Sequence, residues 1–472
     1  MDTILSNNPY KILLLTNRDS DNVGDQVIEA CDIALIKTVM KNLGIKDGEF
    51  KISSRAAGII SKKYLSTRAA EDLKSAENAI RNCDIIIFGG APLFNYLYQM
   101  FYERTAVTLE LAQKYNKPVI FSAIGIESYH EDNEKCQRLK KTLNFECVKQ
   151  ITTRDGYSFL QHYKENPDLV VDKVSDPAVF AGKVFENFTA PKTSSAKRIG
   201  IFILRANGFK DNGINFSKEN AAALWQGIIA LLNERGYDFD LLTSGHFGDE
   251  AFLDSLIKNY GIPESKCIFN INSPEQLTQK LSSYDAIISC RLHPSIIAYA
   301  FDIPSVGIVW NSKVKGFYSS IGYEDRIIET ENITPEIVVD KIEQIMTDEV
   351  HKDKEYLASV YTYLFKGIKN ELCPDSALAP YNYDELMQYI PAYTGTSTTE
   401  LDLKLKRKFR RTYDKYNSVS ATKGKTIADL KAENKLLKHK LKQCTNPTTK
   451  ELIKMCLRKA KHILARLNIF KH

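Results

Sequence analysis

The chain has no CxxC pair. Its nine cysteines are scattered and odd in number, which excludes a zinc ribbon or a disulfide framework and leads us to expect reduced thiols in a cytosolic protein. No apolar run reaches the roughly 18–20 residues of a membrane span. Met1 is followed by Asp2 and a polar stretch, not by a signal-peptide pattern. No GxGxxG follows the first strand-like run, so a dinucleotide is not implied. No His/Cys/Asp/Glu group has metal-ligand spacing, and no nucleic-acid motif occurs, so neither a metal nor a nucleic-acid partner is expected.

What is present is length and apolar content. With 472 residues, two to three domains are expected, and 43% hydrophobic residues suffice for large cores. The net charge of +6 hides an asymmetry. From Leu401 onward, 21 Lys/Arg stand against 5 Asp/Glu, leaving 43 against 53 in the first 400 residues. The basic character belongs to the tail and says little about the body.

Strand-like runs alternate with helical ones throughout, the pattern of an α/β fold with parallel sheets. Lys11–Thr16 reads as the first strand, followed by a polar loop, Val23-Gly24-Asp25, and a helix from about Gln26 to Leu43. Asn22 and Asp25 flank that turn; Asp25 is either a helix N-cap or a partner for a sugar hydroxyl. Cys83–Phe88 ends in Gly89-Gly90, where backbone can approach a ligand. Asp176 before Pro177 is a turn former or a substrate contact. Arg154-Asp155, after a short strand, is an ion pair, a cap or part of the site. The polar stretch 186–197 reads as an interdomain link. It separates an N-terminal Rossmann-like domain, residues 1–185, from a C-terminal one, residues 198–373. In the second series Arg205 ends the first strand, Arg198–Leu204, and His246 follows a later strand, placed to enter a cleft.

The stretch Asp285–Phe317 concentrates the chemistry. Ala286–Ser289 suits a buried parallel strand, and Cys290-Arg291-Leu292-His293 leads into a helix with Pro294 in its first turn. Arg291 and His293 thus sit at a strand's C-terminal end beside a helix N-terminus, where open α/β sheets bind anions. A permanent cation beside an imidazole suggests an anionic substrate and a proton to move. Lys313, further on, is a surface lysine or a further charge for a phosphate pocket. Two such domains with ligand groups at strand ends facing one cleft describe a GT-B-like arrangement.

Several stretches in order resemble the polysaccharide pyruvyl transferases: Asn22-Val-Gly-Asp25, Gly89-Gly90, Gly125 with its strand, Thr153-Arg154-Asp155, Asp176-Pro-Ala-Val-Phe180 and Ser289-Cys-Arg291-Leu292-His293, then Pro304 and Lys313. Ala91 departs from the pattern, standing where the family usually has a third glycine. The resemblance implies transfer of the carboxyvinyl group of phosphoenolpyruvate onto two sugar hydroxyls, giving a pyruvate ketal and phosphate. It implies that Arg205, Arg291, Leu292 and His293 line the phosphoenolpyruvate site. No cofactor is implied beyond this donor substrate. Two Arg forks suit a compact polyanion, and a His titrating near neutrality suits one proton transfer, so His293 and Arg291 are the catalytic candidates. Arg205, Lys313, Gly89, Gly90, Asn22, Asp25, Asp176 and His246 complete the binding candidates. Two rivals remain. In a GT-B glycosyltransferase using a nucleotide-sugar, Arg205 and Arg291 would hold a diphosphate. In a non-catalytic scaffold the tail would be the working part.

Residues 374–400 read as a flexible linker, so a chain ending near Ala392 is expected to stay folded. Residues 401–472 read as a helical basic tail. Ile427, Leu430, Asn434, Leu437, Leu441 and Cys444 have the spacing of a short coiled coil, a possible homodimer contact. Thr448 and Glu451 form a capping box for a last helix. Its apolar face, Ile453, Cys456, Leu457, Ala460, Ile463, Leu464 and Leu467, opposes Lys454, Arg458, Lys461, His462 and Arg466. Such a helix lies on an anionic membrane surface, docks on an acidic body or belongs to a nucleic-acid-binding tail, and the first is favoured. The expectation is a cytoplasmic enzyme, peripheral at the inner face of the membrane, that decorates a capsular or exopolysaccharide glycan or its lipid-linked precursor.

Overall fold

A computed structural model describes residues 9–94, 101–192, 196–443 and 449–467; at 439–443, 449–451 and 464–467 it describes the backbone alone. Residues up to Leu405 form one compact unit and those from Lys406 another.

The first unit holds two parallel sheets. The first comprises β1 (Tyr10–Thr16), β2 (Phe50–Ala56), β3 (Ile85–Gly89), β4 (Val119–Ile124), β5 (Val148–Thr153) and β6 (Val170–Lys173), ordered β2-β1-β3-β4-β5-β6. The second comprises β7 (Arg198–Phe202), β8 (Asp238–Leu242), β9 (Cys267–Ile268), β10 (Ala286–Ser289), β11 (Ser305–Ile308) and β12 (Ile327–Ile328), ordered β12-β11-β10-β7-β8-β9. The central strands are apolar runs because helices cover both faces. Strand order reverses between β1 and β3 in one sheet and between β7 and β10 in the other. Crevices for ligands open at such reversals, beyond the carboxyl ends of the strands.

The helices that bear on the site, the core and the tail are α1 (Val23–Asn42), α2 (Phe247–Tyr260), α3 (Leu292–Ala300), α4 (Ser312–Ser320), α5 (Lys354–Leu372) and α6 (Tyr383–Tyr389) in the first unit, α7 (Thr398–Gln443), which starts in the first unit, and α8 (Thr449–Leu467) in the second. One apolar core runs between the halves, taking Val27 and Leu35 from α1, Ile297 from α3, Tyr361 from α5 and Leu386 from α6. Each such side chain contributes about 1.5–3 kcal/mol on full burial. The halves are therefore packed as one body in the expected GT-B-like arrangement.

Several sequence expectations shift. β2 has no apolar run; its residues alternate between half-buried and exposed, as an edge strand allows. The strand from Arg198 ends at Phe202, short of Leu204. α1 begins at Val23, so Asp25 lies inside its first turn and is not its N-cap. α5 returns to the first sheet: Ser175 Oγ donates to Leu357 O at 2.8 Å, Gln150 Nε2 to Tyr363 O at 3.1 Å, and Asn42 Nδ2 to Tyr361 OH at 2.8 Å. The span 198–373 thus crosses back onto the first domain. The stretch 374–400 is anchored, not a free linker. Leu386 and Ile390 are buried, and Tyr393 packs on Phe185 with ring centroids 5.0 Å apart. Its aromatic side chains supply the core contacts that a Gly/Ser/Thr composition conceals.

In the second unit α7 continues unbroken to Gln443, with Ile427 and Leu430 more than half exposed. In α8 Leu452, Ile453, Leu457 and Ile463 are exposed. Cys444 and Thr448, and with Thr448 the expected capping box, lie outside the described residues. Among the described residues, no helix is long and apolar enough to cross a membrane.

Candidate active site

α1 is buried almost all round, yet it carries Asp25, Gln26, Glu29 and Asp32 on buried positions. Buried carboxylates need partners or lose their charge. Glu29 accepts from Ser54 Oγ at 2.5 Å and lies 3.3 Å from Arg18. Asp32 has no donor at Oδ2, and burial followed by the neighbouring Asp176 pushes its carboxyl far up, which favours the protonated form. Asp25 accepts from Asn17 Nδ2 at 3.0 Å. Burial pushes its carboxyl up to about 6, against the pull of Ser20 and Asn17 hydrogen bonds and of Arg154 and Arg291.

Asp25 faces His293 of α3, with Oδ1 and Nε2 4.0 Å apart. The first turns of the two helices meet so closely that a Cβ on Gly24 would lie 2.4 Å from the Cβ of His293. Only glycine admits that approach. Asn22, whose side chain does not cap α1, spans the junction instead. Its Oδ1 accepts from Ser244 Oγ at 2.7 Å, and its Nδ2 faces His293 Nδ1 at 3.2 Å. The amide orientation makes Nδ1 an acceptor, so the neutral imidazole carries its proton on Nε2. That Nε2 is buried and has no hydrogen-bond partner. Burial, then Arg154, Arg291 and Lys313, hold His293 well below the usual imidazole range. It is neutral at pH 7.

Around this pair stand the cations. Arg154 is buried and bonds Asp176 Oδ2 through a terminal nitrogen at 2.5 Å, with Asp155 at 3.9 Å. Asp176 also accepts from Ala178 N at 2.8 Å, capping the turn that Pro177 starts. Both of its oxygens are thus engaged, and it bears on the site by orienting Arg154. Arg154, Asp176, Leu292 and Lys313 line a small cavity of about 20 Å³, room for roughly one water. Arg291 flanks α3 as its N-cap residue and lies over Trp310 at 5.4 Å. Its Nε and a terminal nitrogen meet Asp249 Oδ2 at 2.8 and 2.5 Å. Asp249, fully buried in α2, also accepts from Arg205 N at 3.1 Å. The Arg205 side chain is one-third exposed.

Three of the expected contacts, Gly89, Gly90 and His246, have structural partners of their own. A Cβ on Gly89 would meet Asp32 Oδ2 at 2.2 Å, and one on Gly90 would meet Ile28 Cγ2 at 2.1 Å. These glycines admit α1 against the sheet rather than a ligand against the backbone. His246 N-caps α2, its Nδ1 accepting from Gly248 N at 3.1 Å. It borders the Arg205–Asp249 cluster, 3.8 Å from Asp249. Asn22, Asp25, Leu292, His293 and Lys313 converge at the junction of the halves, with Arg205 and Arg291 beside them.

The family model described as polysaccharide pyruvyl transferase matches residues 10–312. The chain belongs to the polysaccharide pyruvyl transferase family. The match takes in both order reversals and every site residue named above except Lys313, which falls one position beyond it. The curated proteins offer no match to this family member. Its fold is similar to those of UDP-GlcNAc 2-epimerase from Methanocaldococcus jannaschii (13% identity, 75% of this chain, 98% of that one, TM-score 0.46) and S. aureus MnaA solved with UDP (13%, 79%, 99%, TM-score 0.49). E. coli ADP-heptose lps heptosyltransferase II is also similar (12%, 71%, 98%, TM-score 0.37). Likenesses this distant carry no inference about activity.

Sequence reading missed four parts of this candidate site in the pyruvyl transferase family member: Asp249, Asn17, Ser244 and Trp310. Asp249 had a faint signal as an acid in a helix's first turn, which ordinarily marks only the helix dipole.

Proposed function

We propose that this chain transfers the pyruvyl group of phosphoenolpyruvate onto two hydroxyls of a sugar in a surface polysaccharide or its lipid-linked precursor. One hydroxyl adds to C2 of the enol as the methylene carbon gains a proton, leaving a tetrahedral carbon that bears phosphate. The second hydroxyl then displaces the phosphate at C2 and loses its own proton. Two C–O bonds form, one C–O bond to phosphate breaks, and phosphate leaves.

The observation that carries this reading is that Arg154, Arg291 and Lys313 stand near enough for their charges to act on His293, whose buried Nε2 has no hydrogen-bond partner. The donor's phosphate and carboxylate match those cations, with Arg205 at the rim. Burial depresses His293 most, and anion binding offsets the further depression from Arg154, Arg291 and Lys313, so the imidazole's proton affinity rises as the donor arrives. The imidazolium then protonates the methylene carbon. Asp25, ionised above about pH 6, takes the hydroxyl proton from the other side. No cofactor enters these steps. We further propose that α8 lays its exposed apolar residues on an anionic membrane surface, at the inner face where lipid-linked precursors are built, and that Ile427, Leu430 and Asn434 of α7 pair two copies.

The test is incubation of the full-length protein with phosphoenolpyruvate and free or lipid-linked glycan acceptors. Acceptor-dependent phosphate release with a ketal methyl signal in the product is expected. Nucleotide release from a nucleotide-sugar, with phosphoenolpyruvate untouched, would replace this reading with a glycosyltransferase. Turnover of neither donor would leave the scaffold.

A further inference from the structure

The segment from Tyr393 to Leu405 bridges the two halves of the first unit. Tyr393 N donates to Val184 O at 2.6 Å. Thr396 donates to Glu275 of the second half through N at 3.3 Å and Oγ1 at 3.0 Å. The first two turns of α7 then grip the other half. Glu400 Oε1 accepts from Arg18 at 2.5 Å, and Lys404 Nζ donates to Gln26 Oε1 at 2.9 Å.

Those two partners lead into the site. Arg18 lies in the loop after β1 and donates to Ser54 O at 2.9 Å. Gln26 Nε2 reaches Ser20 O of the same loop at 3.3 Å. Ser20 Oγ accepts from Asn22 N at 3.1 Å, and Ser20 also hydrogen-bonds Asp25. Asn22 in turn holds His293. A continuous hydrogen-bonded chain therefore runs from Lys404 through Gln26, Ser20 and Asn22 to the imidazole.

We propose that Glu400 and Lys404 are positioning residues, which strap the loop 17–22 so that Asn22 and Asp25 meet His293 in working register. The proposal rests on the function above for its catalytic consequence. Its structural consequence stands alone. The Arg18 and Glu400 side chains are 23% and 35% exposed, and pairs so exposed contribute little to global stability. Their value lies in placement, since a displacement of roughly 1 Å can cost about 100-fold in rate.

The experiment uses full-length Glu400→Gln, Lys404→Met and the double variant, with Lys404→Arg as the conservative control. Melting temperatures are expected to match the parent, with faster hydrogen exchange at the amides of Asn22, Val23 and Asp25 in the double variant. kcat on a soluble acceptor is expected to fall about 10–100-fold, with the KM for phosphoenolpyruvate unchanged and the acid limb of the pH–rate profile displaced. Lys404→Arg should restore both. Parental exchange at those amides in the double variant overturns the strap, whether or not the parent transfers pyruvate. An active parent whose double variant keeps full kcat overturns it as well. A parent without transfer activity, but with exchange that rises in the double variant, retains the strap and removes the proposed reaction.

Discussion

The two halves of the body share a fold and bring opposite chemistry to the junction. The first half offers Asp25, Asp155 and Asp176 against Arg154, with the amides of Asn17 and Asn22. The second offers Arg205, Arg291, Lys313 and His293 against Asp249. Carboxylates outnumber cations on one side, and cations outnumber carboxylates on the other. The difference suits the division of labour in the proposed reaction: the second half supplies most of the charge for a polyanionic donor, with Arg154 reaching it from the first, and Asp25 suits an acceptor that must lose protons. Each prediction below removes one side of that contrast.

The largest effects should come from the pair at the contact itself. His293→Gln keeps a hydrogen-bonding side chain but cannot shuttle a proton, and kcat should fall by about 10²–10⁴ with donor affinity little changed. Asp25→Asn should fall in the same range and lose the acid limb near pH 6. In the parent, kcat/KM, which reports the free enzyme, drops as pH falls through Asp25's value of about 6, because the protonated carboxyl accepts nothing. A glutamine variant with full turnover would reduce His293 to packing, and an unchanged acid limb in Asp25→Asn would assign that limb elsewhere. Gly24→Ala sharpens the comparison without touching a titrating group. Its methyl would displace His293, so activity should collapse at a stability cost of only about 1–3 kcal/mol.

Next come the two arginines, which the sequence presents as equals. Arg291→Ala strands Asp249, a fully buried carboxylate, and removal of one partner of such a pair costs about 3–5 kcal/mol. Arg205→Ala removes a one-third-exposed side chain while its backbone N–H keeps Asp249 company. It should cost about 1.5–3 kcal/mol of donor binding, tenfold or more in affinity, with little change in melting. Calorimetric binding and thermal unfolding of both variants separate these outcomes. Equal loss of stability would show that Asp249 does not depend on Arg291.

A smaller effect concerns protons. In the proposed complex phosphoenolpyruvate adds negative charge beside His293, whose value is depressed by burial and then by Arg154, Arg291 and Lys313, and beside Asp25, which burial raises. Both groups should bind protons more tightly in the complex than in the free protein. Donor binding near neutral pH should therefore take up a fraction of a proton, and affinity should rise as pH falls towards 6. Titration calorimetry in buffers of different ionisation enthalpy measures the uptake. Proton release, or no exchange, would place the donor away from this pair.

Much of this was legible in sequence because it is local. The apolar runs of β1, β3, β4, β7 and β10 signal buried strands, and a motif that follows such a run must sit at a strand's carboxyl end. That logic placed Asn22, Asp25, Arg205, Arg291 and His293 in the site region. What escaped depends on distance. Asp249 gains its meaning only when α2 lies against Arg291. Gly89 and Gly90 read as ligand-facing because a glycine pair shows tolerance for close approach without saying what approaches; here it is Asp32 and Ile28. β2 lacks an apolar run because it is an edge strand. The stretch 374–400 reads as linker by composition, yet its last residue, Glu400, finds Arg18 across 382 residues of sequence.

The smallest effect on soluble-acceptor turnover should come from the tail, provided the cut respects the strap. A chain ending after Leu405 keeps Tyr393, Glu400 and Lys404 and should act normally on a short water-soluble acceptor. One ending at Ala392 loses all three and should slow, contrary to the tolerance that its composition suggests. Both lack α8, with its exposed Leu452, Ile453, Leu457 and Ile463 beside Lys454, Arg458 and Lys461. Each Lys or Arg near an anionic surface contributes about 1 kcal/mol, so full-length protein should sediment with anionic vesicles and both shortened forms should not. Salt should weaken the binding, since charge is screened over about 8 Å at physiological ionic strength. Pairing of two tails would multiply weak attachments, so sedimentation should fall when Ile427 and Leu430 are changed to Asp. Activity on a lipid-linked acceptor should follow vesicle binding, while activity on the soluble one follows the strap. Equal sedimentation of long and short forms would sink the membrane role and leave the tail as a protein-docking or pairing element.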